Sequence, residues 1–451
     1  MSVSTAPGSG TFPCGVHPPE GKSFAMDCPI EVLPTPKQIR IATQQNVGAP
    51  CEGLLKPRQE VTAGEQIGKA EAFISAPLHS PLTGVAAMAQ AVTLANGRHM
   101  QAMVIKASEE PQPLEGRALL DDLYGGDWPI GALEQYAPEQ IVDAVKTAGI
   151  VGQGGAAFPT YVKLLRNDDK PIDTVILNGC ECEPYLTADY RMMVEFPTPI
   201  LTGAILAARA VGASKIYVGI EDNKPLAIEE MQAAAAGTDV EIVPLKTKYP
   251  QGSEKQTMFA ITGREAGPGK LPSEVGCCVI NVATAAAIAR AVVRNKPLTH
   301  RVVTVTGGGI TNPKNLLVPV GVSCEELIDY CGGLTDDAER VISGGPMMGF
   351  TMGNLDTPVT KGTSGLTVLR KSDLASMDET NCVRCGRCVD VCPMSLVPTR
   401  IALASRNQLW DLAKQYHILA CVECGCCAYT CPAALPLVQL IRMGKVSMPR
   451  D

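Results

Sequence analysis

The sequence predicts a multidomain fold of mixed α/β and β class that ends in a helical, cysteine-rich unit. Three observations predict it. Residues 37–110 carry short apolar runs separated by glycines, residues 136–297 alternate strand-like with helix-like patterns, and residues 373–451 hold two matched sets of cysteines. A chain of 451 residues is long enough for about three or four domains.

The first folded unit is predicted at residues 37–110, after an N-terminal arm of residues 1–36 that is rich in proline and glycine. Short strands at even spacing with glycine turns indicate a small β-sandwich or barrel. The segments VTAGEQIG (61–68) and SAPLHSPLTG (75–84) resemble the two halves of a biotinyl/lipoyl-type domain. Carriers of that family bear a lysine at the hairpin tip between the halves. Here the tip region is predicted to hold His79, so we expect a barrel-sandwich fold without a swinging arm.

Residues 111–135 are predicted to be a linker, and residues 136–297 an α/β unit. Strands that alternate with helices favour a parallel sheet covered by helices. The run Cys277–Val293 is rich in alanine and is interpreted as one buried helix. Residues 298–372 change to a compact α+β pattern with the outline of a β-grasp module. Three apolar stretches of the α/β unit are predicted strands: Thr174–Asn178, Lys215–Ile220 and Val240–Pro244.

The two cysteine sets of residues 373–451 both follow the pattern C-x2-C-x2-C-x3-C-P. Bacterial two-cluster ferredoxins hold two [4Fe-4S] cubanes with this spacing, and the fourth cysteine of each run binds the other cluster. A structural zinc site fits poorly, because it pairs two close ligands with two distant ones. We therefore predict a helical two-[4Fe-4S] ferredoxin domain, and we interpret the extra Cys426 as a bystander. The predicted metal ligands are Cys382, Cys385, Cys388 and Cys431 for cluster 1, and Cys421, Cys424, Cys427 and Cys392 for cluster 2.

Bulk composition narrows the class of protein further. Hydrophobic residues make up 45% of the chain and charged residues 19%, which is typical of globular proteins. The net charge of -7 argues against a nucleic-acid binder. The first residues, MSVSTAPGSG, lack the basic start and apolar core of a signal peptide. No run of about 18 uninterrupted apolar residues is present either, so we expect a soluble chain that can still dock on a membrane complex.

Two motifs of the α/β unit indicate a cofactor site. In GIVGQGGAAFPT (149–160), clustered glycines let backbone N–H groups approach a phosphate or a flat ring. The motif NGCECEP (178–184) follows a predicted strand, at the edge where open α/β sheets bind ligands. Taken alone, the first motif also fits a tight turn and the second a solvated loop.

Several motifs together carry a family resemblance. GQGGAAFPTYVK (152–163), NGCECEP, YPQGSEK (249–255) and NVAT (281–284) occur in order and are similar to the FMN- and NADH-binding flavoprotein subunit of respiratory complex I. FPCGVHPPE (12–20), YPQGSEK and GGPMMG (344–349) look more like the C subunit of the Rnf complex, a ferredoxin:NAD⁺ oxidoreductase. The resemblance covers nearly the whole chain. It implies a Rossmann-like FMN/NAD(H) domain at 136–297 and an SLBB β-grasp module at 298–372.

The resemblance also implies roles for individual residues. Phe158 would stack on the nucleotide, and Glu183 and Glu254 would sit near its nicotinamide and ribose. Phe158 and Glu183 are the catalytic candidates. This sequence departs from the complex I pattern at three positions: Ala157 replaces a third glycine, Cys180 an aspartate, and Ile280 the first of two asparagines. The implied cofactor-binding residues are Gly152, Gly154, Gly155 and Lys163 against FMN, Asn178 and Glu181 along its ring and ribityl chain, and Tyr249, Gly252, Glu254, Asn281 and Thr284 closing the pocket.

An electron-transfer function follows from this combination of cofactors. A nicotinamide exchanges two electrons as a hydride and a cubane exchanges one, and a flavin can do both. The resemblance implies hydride transfer between NAD(H) and FMN, single-electron transfer through both clusters, and ion translocation by the partner subunits of a membrane-bound complex. Expected partners are the other Rnf subunits, NAD(H), and ferredoxin directly or through one of those subunits, with no nucleic acid. The expected location is peripheral, on the cytoplasmic side of the cell membrane.

Two alternatives remain open at this point. One is a soluble flavin and Fe–S protein that resembles the corrin reductase of bacterial microcompartments. The other is a non-enzymatic Fe–S electron-transfer subunit with a vestigial flavin site, which the three departures from the complex I pattern keep open. The A subunit of the sodium-pumping NADH:quinone reductase shares the general domain plan but lacks the ferredoxin cysteines.

Overall fold

The structure, a computed structural model, describes residues 7–131, 133–374 and 378–449. In the described part of the chain, four β-sheets are followed by a C-terminal group of helices. The order of the folded units matches the predicted order: an all-β unit, an α/β unit, a β-grasp module and a helical domain.

The N-terminal arm is packed against later parts of the chain along much of its length. It contains a 3₁₀ turn, Lys22–Phe24, and strand β1 (Ile30–Val32). β1 pairs in parallel with residues 315–317 of the β-grasp module. The arm therefore supplies an edge strand to a sheet that lies far away in sequence.

The all-β unit consists of a five-stranded and a three-stranded sheet, as predicted for a barrel-sandwich domain. The first sheet has the order β2-β9-β7-β4 with β8 on β9, and the second has the order β3-β5-β6. Ile39, Ile41 and Ile105 fill the core between the sheets. The strands are β2 (Gln38–Ala42), β3 (Glu52–Gly53), β4 (Glu60–Val61), β5 (Gln66–Lys69), β6 (Leu78–His79), β7 (Gly84–Ala86), β8 (Gln90–Thr93) and β9 (His99–Ala107).

The prediction that His79 lies in the hairpin tip is wrong. His79 ends β6 opposite Gln66 and is 7% exposed, whereas the tip consists of residues 70–77. Burial lowers the pKa of His79 to about 3. His79 is therefore a neutral histidine of the core. The turn between the two halves forms at residues 70–77, earlier in the chain than we predicted.

The predicted linker, residues 111–135, contains a packed helix. Helix α1 (Gly116–Leu123) and a 3₁₀ turn, Leu133–Gln135, lie in this segment. Leu120 and Leu123 are buried in the same core cluster as Ile30 of β1. We predicted a linker because prolines and glycines flank this short amphipathic helix on both sides.

The α/β unit is built on a parallel sheet of order β12-β11-β10-β13. The interpretation of Cys277–Val293 as one helix is wrong, because residues 277–281 form a strand. A strand and a helix that are both buried give the same apolar pattern, so periodicity could not separate them. The elements are α2 (Pro138–Thr147), α3 (Thr160–Leu164), β10 (Thr174–Asn178), α4 (Ala188–Glu195), α5 (Pro197–Val211), β11 (Lys215–Glu221), α6 (Pro225–Ala235), β12 (Val240–Leu245), α7 (Glu254–Thr262), a 3₁₀ turn Pro272–Val275, β13 (Cys277–Asn281) and α8 (Val282–Arg294).

The β-grasp module completes a six-stranded sheet of order β1-β15-β14-β18-β16-β17. The side chains of β14 and β15 are almost entirely buried, because the sheet packs on the all-β unit on one side and on the α/β unit on the other. The elements are β14 (His300–Thr306), β15 (Lys314–Pro319), α9 (Cys324–Tyr330), β16 (Ala338–Ser343), β17 (Phe350–Thr351), β18 (Gly365–Arg370) and a 3₁₀ turn Lys371–Asp373.

The C-terminal domain is an internal repeat with an offset of 39 residues. The short helices that start at 387 and 426, and the longer ones that start at 398 and 437, follow this offset, as do all four cysteine pairs. Its core packs the two longer helices against each other. The elements are α10 (Arg387–Asp390), α11 (Pro398–Arg406), α12 (Trp410–Gln415), a 3₁₀ turn Ile418–Ala420, α13 (Cys426–Tyr429) and α14 (Leu437–Ser447).

The close packing of α5 on α8 depends on one glycine. A Cβ at Gly203 of α5 would lie 1.8 Å from the carbonyl oxygen of Ala285 in α8, so a side chain there must push the two backbones apart. We expect Gly203→Ala to lower the free energy of unfolding by about 1–3 kcal/mol, the usual cost of overpacking, in chemical denaturation. Gly353→Ala is the control, because a Cβ there meets nothing within 4 Å. Equal stability of the two variants would contradict this packing.

Candidate functional site

The parallel sheet reverses its strand order next to β10, and a crevice forms at this point. β11 and β12 lie on one side of β10, whereas β13 lies on the other. In open α/β sheets, ligands bind beyond the carboxyl ends of the strands at such a switch point. Asn178 ends β10 and Asn281 ends β13, and the two residues are register partners. Two predicted cofactor-binding residues therefore lie side by side where a ligand is expected.

The glycine-rich loop is a hairpin that is fixed at its base. The Gly152 N–H donates to the Phe158 carbonyl at 2.9 Å. Gln153 is 2% exposed; its backbone N–H donates to Thr284 Oγ1 at 2.9 Å and its side-chain amide to the Ala283 carbonyl at 3.0 Å. These bonds tie the loop to the start of α8. Gln153 is a site residue that the sequence analysis missed, although it lies inside the quoted motif.

The tip of this loop comes close to the strand edge and leaves open space beside it. A Cβ at Gly154 would lie 3.4 Å from the Cβ of Asn281, whereas a Cβ at Gly155 would meet nothing within 4 Å. Ala157, which replaces a third glycine, has a φ of 50°. Glycine adopts this left-handed conformation without the strain that alanine incurs. The departure from the complex I pattern thus keeps the loop shape at some cost in strain.

Predicted residues from three different segments contact one another across the crevice. Lys163 Nζ lies 2.5 Å from Glu254 Oε1 and also donates to the Val279 carbonyl at 3.0 Å. Asn178 Nδ2 donates to the Gly252 carbonyl at 2.6 Å. The loop that contains YPQGSEK is therefore held against the ends of β10 and β13, as the resemblance implied.

The acidic residues around Asn281 serve the helices of the site. The Glu181 carboxylate accepts hydrogen bonds from the backbone N–H groups of Asp189 (2.7 Å) and Tyr190 (3.3 Å), so it caps α4. Asn281 Nδ2 donates to Asp189 Oδ2 at 2.6 Å, and its Oδ1 caps α8. Burial, and then the charge of Glu181, raise the pKa of Asp189 to about 7. Asp189 was missed because its partner lies more than ninety residues away.

Glu183 holds a loop of the β-grasp module. Its carboxylate accepts from the N–H groups of Met347 (3.2 Å) and Met348 (2.8 Å), which belong to the motif GGPMMG. Burial raises its pKa to about 7. The structure therefore gives Glu183 a positioning contact. Its expected place near the nicotinamide, and the stacking expected of Phe158, stay predictions.

Tyr249 joins the crevice to the C-terminal domain. Its hydroxyl donates to the Cys424 carbonyl at 2.6 Å, and Cys426 Sγ lies 3.9 Å from the Tyr249 carbonyl. Both cysteines pack with Tyr249 and Val16 in one buried cluster, to which Met347 also belongs. We call this cluster the junction. Cys426, interpreted as a bystander, is fully buried in it.

The four cysteines predicted for cluster 2 line a single cavity in the C-terminal domain. Cys392 comes from the first set and the other three from the second, as the crossed assignment requires. Burial raises the pKa of Cys392, and that of Cys421 to about 11. Iron must therefore displace protons when it binds. The remaining wall is largely apolar and includes Leu396, Ile401 and Val438.

Cysteines predicted for cluster 1 lie closer to the surface. Cys382, Cys388 and Cys431 pack in the helical core of the domain, whereas Cys385 is exposed. Within the described residues, no three His, Cys, Asp or Glu side chains converge on one metal-ion position. A cubane does not require this, since each thiolate binds a different iron.

The backbone around the cysteines repeats in a form suited to cluster ligands. The N–H groups of Arg384 and Glu423, each two residues after a first cysteine, lie 3.4 Å from the Sγ of Cys382 and Cys421. Both residues have positive φ, 57° and 58°. Hydrogen bonds to sulfur are among the factors that set cluster potentials.

Family models match the chain in the order in which the structure places its units. They are an RnfC barrel sandwich hybrid domain over residues 10–110, a Nuo51 FMN-binding domain over 145–290, an SLBB domain over 302–351 and a 4Fe-4S dicluster domain over 375–432. The predicted fold class is confirmed.

Nearly full-length relatives decide the family. The C subunit of the proton-translocating ferredoxin:NAD(+) oxidoreductase complex of Clostridium ljungdahlii is 43% identical over 96% of this chain and 93% of its own length. The C subunit of the Na(+)-translocating complex of Acetobacterium woodii is 42% identical over 97% and 96%. The C subunit of the ion-translocating oxidoreductase complex of Rhodobacter capsulatus is 41% identical over 96% and 82%. The chain belongs to the RnfC family.

A solved structure shares part of this architecture. The NAD+-reducing [NiFe]-hydrogenase in the air-oxidized state aligns over 65% of this chain and 56% of its own, with a TM-score of 0.47 and 23% identity.

The site residues of this RnfC family member fit FMN and two [4Fe-4S] clusters. Beside Gly252, the Gln251 side chain is fully buried, and neither of its amide atoms has a partner among the described residues. A bound polar ring or an ordered water satisfies such a group. Lys163 supplies a cation that suits a phosphate or a reduced flavin. The sulfur-lined cavity fits cluster 2, and the first cysteine set repeats its backbone geometry for cluster 1.

In the described part of this RnfC family member, no single helix is long and apolar enough to cross a membrane. One bent pair of helices, Ala188–Glu195 with Pro197–Val211, is long and apolar enough to do so by length and composition alone.

The crossed ligand assignment predicts different outcomes for two double variants. Cys392→Ala with Cys421→Ala removes two ligands of cluster 2 alone, so reconstituted protein should fall from about eight iron atoms per chain to about four. Cys431→Ala with Cys421→Ala removes a ligand from each cluster and should lose both. Iron analysis and EPR distinguish them. Cys426→Ser is the control that should keep about eight iron atoms. Loss of both clusters in the first double variant would refute the assignment.

The buried Asp189 predicts a pH-dependent stability. Its folded pKa, about 7, lies above the unfolded value of about 4, so the folded state loses stability as the pH rises from about 4 to 7 and carries the full penalty of the buried carboxylate above pH 7. We expect Asp189→Asn to stabilise the FMN-free protein at pH 8 by on the order of 1–3 kcal/mol, and much less at pH 5. Thermal unfolding at both pH values measures this. The exposed Asp143→Asn is the control, and an equal gain at both pH values would contradict the prediction.

Proposed function

We propose that the chain is the NAD(H)-facing subunit of an ion-translocating ferredoxin:NAD⁺ oxidoreductase complex. The observation that carries the proposal is the contact between the two sites. The switch-point crevice and the sulfur-lined cavity of cluster 2 meet at the junction, where Tyr249 bonds the carbonyl of the ligand Cys424. A two-electron site and a one-electron site on one chain, in direct contact, are what NAD(H)-to-cluster electron transfer requires.

FMN supplies the chemistry that exchanges a hydride with NAD(H) and single electrons with a cluster. The residues of the chain provide binding and orientation. Glycines 152, 154 and 155 let the backbone approach the cofactor, and Lys163, paired with Glu254, places a cation at the crevice. Asn178 and Asn281, at the ends of β10 and β13, form the floor of the crevice. In this proposal Glu181, Tyr249, Gly252 and Thr284 shape the pocket walls.

The arrangement favours one order of electron carriers. Cluster 2 lies next to the junction, and cluster 1 lies farther out, with Cys385 exposed. Electrons would therefore pass between the flavin site and cluster 2, then cluster 1, and then a docked partner. The exposed side chain of Val383, 65% accessible, adds apolar surface beside Cys385 for such a partner.

The partners that we propose are the other subunits of the complex, with ferredoxin reached directly or through one of them. The relatives of Clostridium ljungdahlii and Acetobacterium woodii are named for proton and Na⁺ translocation, respectively. Complexes named for different ions thus contain C subunits that are each more than 40% identical to this chain, so we assign ion translocation to partner subunits. We propose a peripheral location on the cytoplasmic side of the cell membrane.

An anaerobic NADH titration of the reconstituted full chain tests this function. We expect loss of the oxidised-flavin absorbance, followed by an EPR signal from a reduced cluster. The Cys392→Ala, Cys421→Ala double variant should keep flavin reduction and lose electron transfer to cluster 1, because the intermediate carrier is missing. Clusters without bound flavin, or a flavin that does not respond to NADH, would refute the proposal and leave an electron-transfer scaffold.

A further inference from the structure

Three buried cations from outside the α/β unit contact the two loops that border the flavin crevice. Lys22 comes from the N-terminal arm, and Arg301 and Lys361 come from the β-grasp module; they are 5%, 2% and 1% exposed. None of them was singled out by a sequence motif. All three donate to backbone carbonyls of other segments, which makes them unlike ordinary ion pairs.

Lys22 holds the acidic loop that follows β10. Its Nζ donates to the carbonyls of Leu186 (2.6 Å), Glu181 (2.8 Å) and Glu183 (3.1 Å), which uses all three ammonium protons. Glu181 Oε2 lies 3.9 Å away, too far for a short ion pair. Removal of Lys22 would leave three inward-facing carbonyls without a donor, so this loop depends on the arm for its shape.

Arg301 holds the glycine-rich loop in the same way. Its Nη2 donates to the Gln153 carbonyl (3.2 Å) and its Nη1 to the Lys361 carbonyl (2.6 Å). Lys361 Nζ in turn donates to the carbonyls of Gly149 (2.7 Å) and Pro77 (2.8 Å). The β-grasp module thus fixes the glycine-rich loop at two points, Gly149 through Lys361 and Gln153 through Arg301.

The charges of Lys22 and Arg301 are only partly neutralised. The acid that acts on Arg301 is Asp189, and those that act on Lys22 are Glu181 and Glu221, the latter already paired with Lys224 at 2.9 Å. A buried charge keeps its field, because little water screens it. A flavin between the two loops would be separated from these charges by one loop backbone, and a reduced flavin carries more negative charge than an oxidised one.

We propose that Lys22 and Arg301 are positioning residues for the flavin, holding the two loops of its site by their carbonyls and raising its reduction potential with their charge. The inference rests on the proposed FMN site and extends it to two residues outside the FMN-binding domain. It assigns the arm and the β-grasp module a part in flavin binding, besides their structural roles.

The test is FMN binding to full-length, FMN-depleted protein. We expect Lys22→Met and Arg301→Met each to raise the Kd for FMN by about tenfold or more, as loss of a hydrogen bond to a charged group does. The midpoint potential of the bound flavin should shift to more negative values. Lys22→Arg, which keeps charge and donors, should restore both. Arg301→Lys, which keeps the charge without the guanidinium fork, should give an intermediate Kd and still be measurable if Arg301→Met does not fold.

Arg290→Met is the matched control. Arg290 is a fully buried cation of the α/β unit that bonds Tyr124, and in the described part of the chain it forms no hydrogen bond with either loop. It should alter stability but neither the Kd nor the potential. Unchanged Kd and potential in the Lys22 and Arg301 variants would overturn this inference alone. A wild-type chain that binds no FMN would overturn the proposed function first, so the two failures are distinguishable.

Discussion

The strand-order reversal between β10 and β13 is the constraint on which the rest of the structure depends. It places the ends of two parallel strands, Asn178 and Asn281, side by side at the switch point. Backbone N–H groups of the glycine-rich loop and the start of α8 can then face the same space, because Gln153 bonds Thr284. Without this reversal the strand ends would still share one edge, but the connections after β10 and β13 would not diverge, and no crevice would open between them for a ligand.

The crevice is nevertheless an incomplete site within the α/β unit alone. Its acidic loop takes its shape from Lys22 of the arm, and its glycine-rich loop from Arg301 of the β-grasp module. A buried cation that donates to carbonyls is costly to remove from water, and several well-placed hydrogen bonds must offset that cost. Such contacts form only when all units are docked. We therefore expect flavin binding and domain assembly to be coupled in this chain.

Local spacing allowed the sequence to predict much of this, and the failures share a physical cause. The predictions for the cluster cysteines and for the motif residues around Asn178 and Asn281 rest on local spacing. The structure brings the cluster 2 cysteines together in one cavity and the motif residues together in one crevice. The strand at residues 277–281 was missed because a buried strand and a buried helix are equally apolar. Lys22 and Arg301 were missed for another reason: their partners in the two loops lie more than one hundred residues away and are backbone atoms, which residue type does not reveal.

The β-grasp loop at GGPMMG explains how the flavin site and cluster 2 can stay in fixed contact. Glu183 binds the Met347 and Met348 N–H groups from the flavin side, and Arg442 of the C-terminal domain donates to the Met348 carbonyl from the other. A Cβ at Gly425 would lie 2.6 Å from the Met347 carbonyl, so the backbones there are in direct contact. Electron transfer weakens steeply with distance, and a loop held from both sides keeps the separation constant while partners bind elsewhere. We therefore infer that the β-grasp module holds the flavin site and the cluster 2 site together and keeps the distance between them fixed.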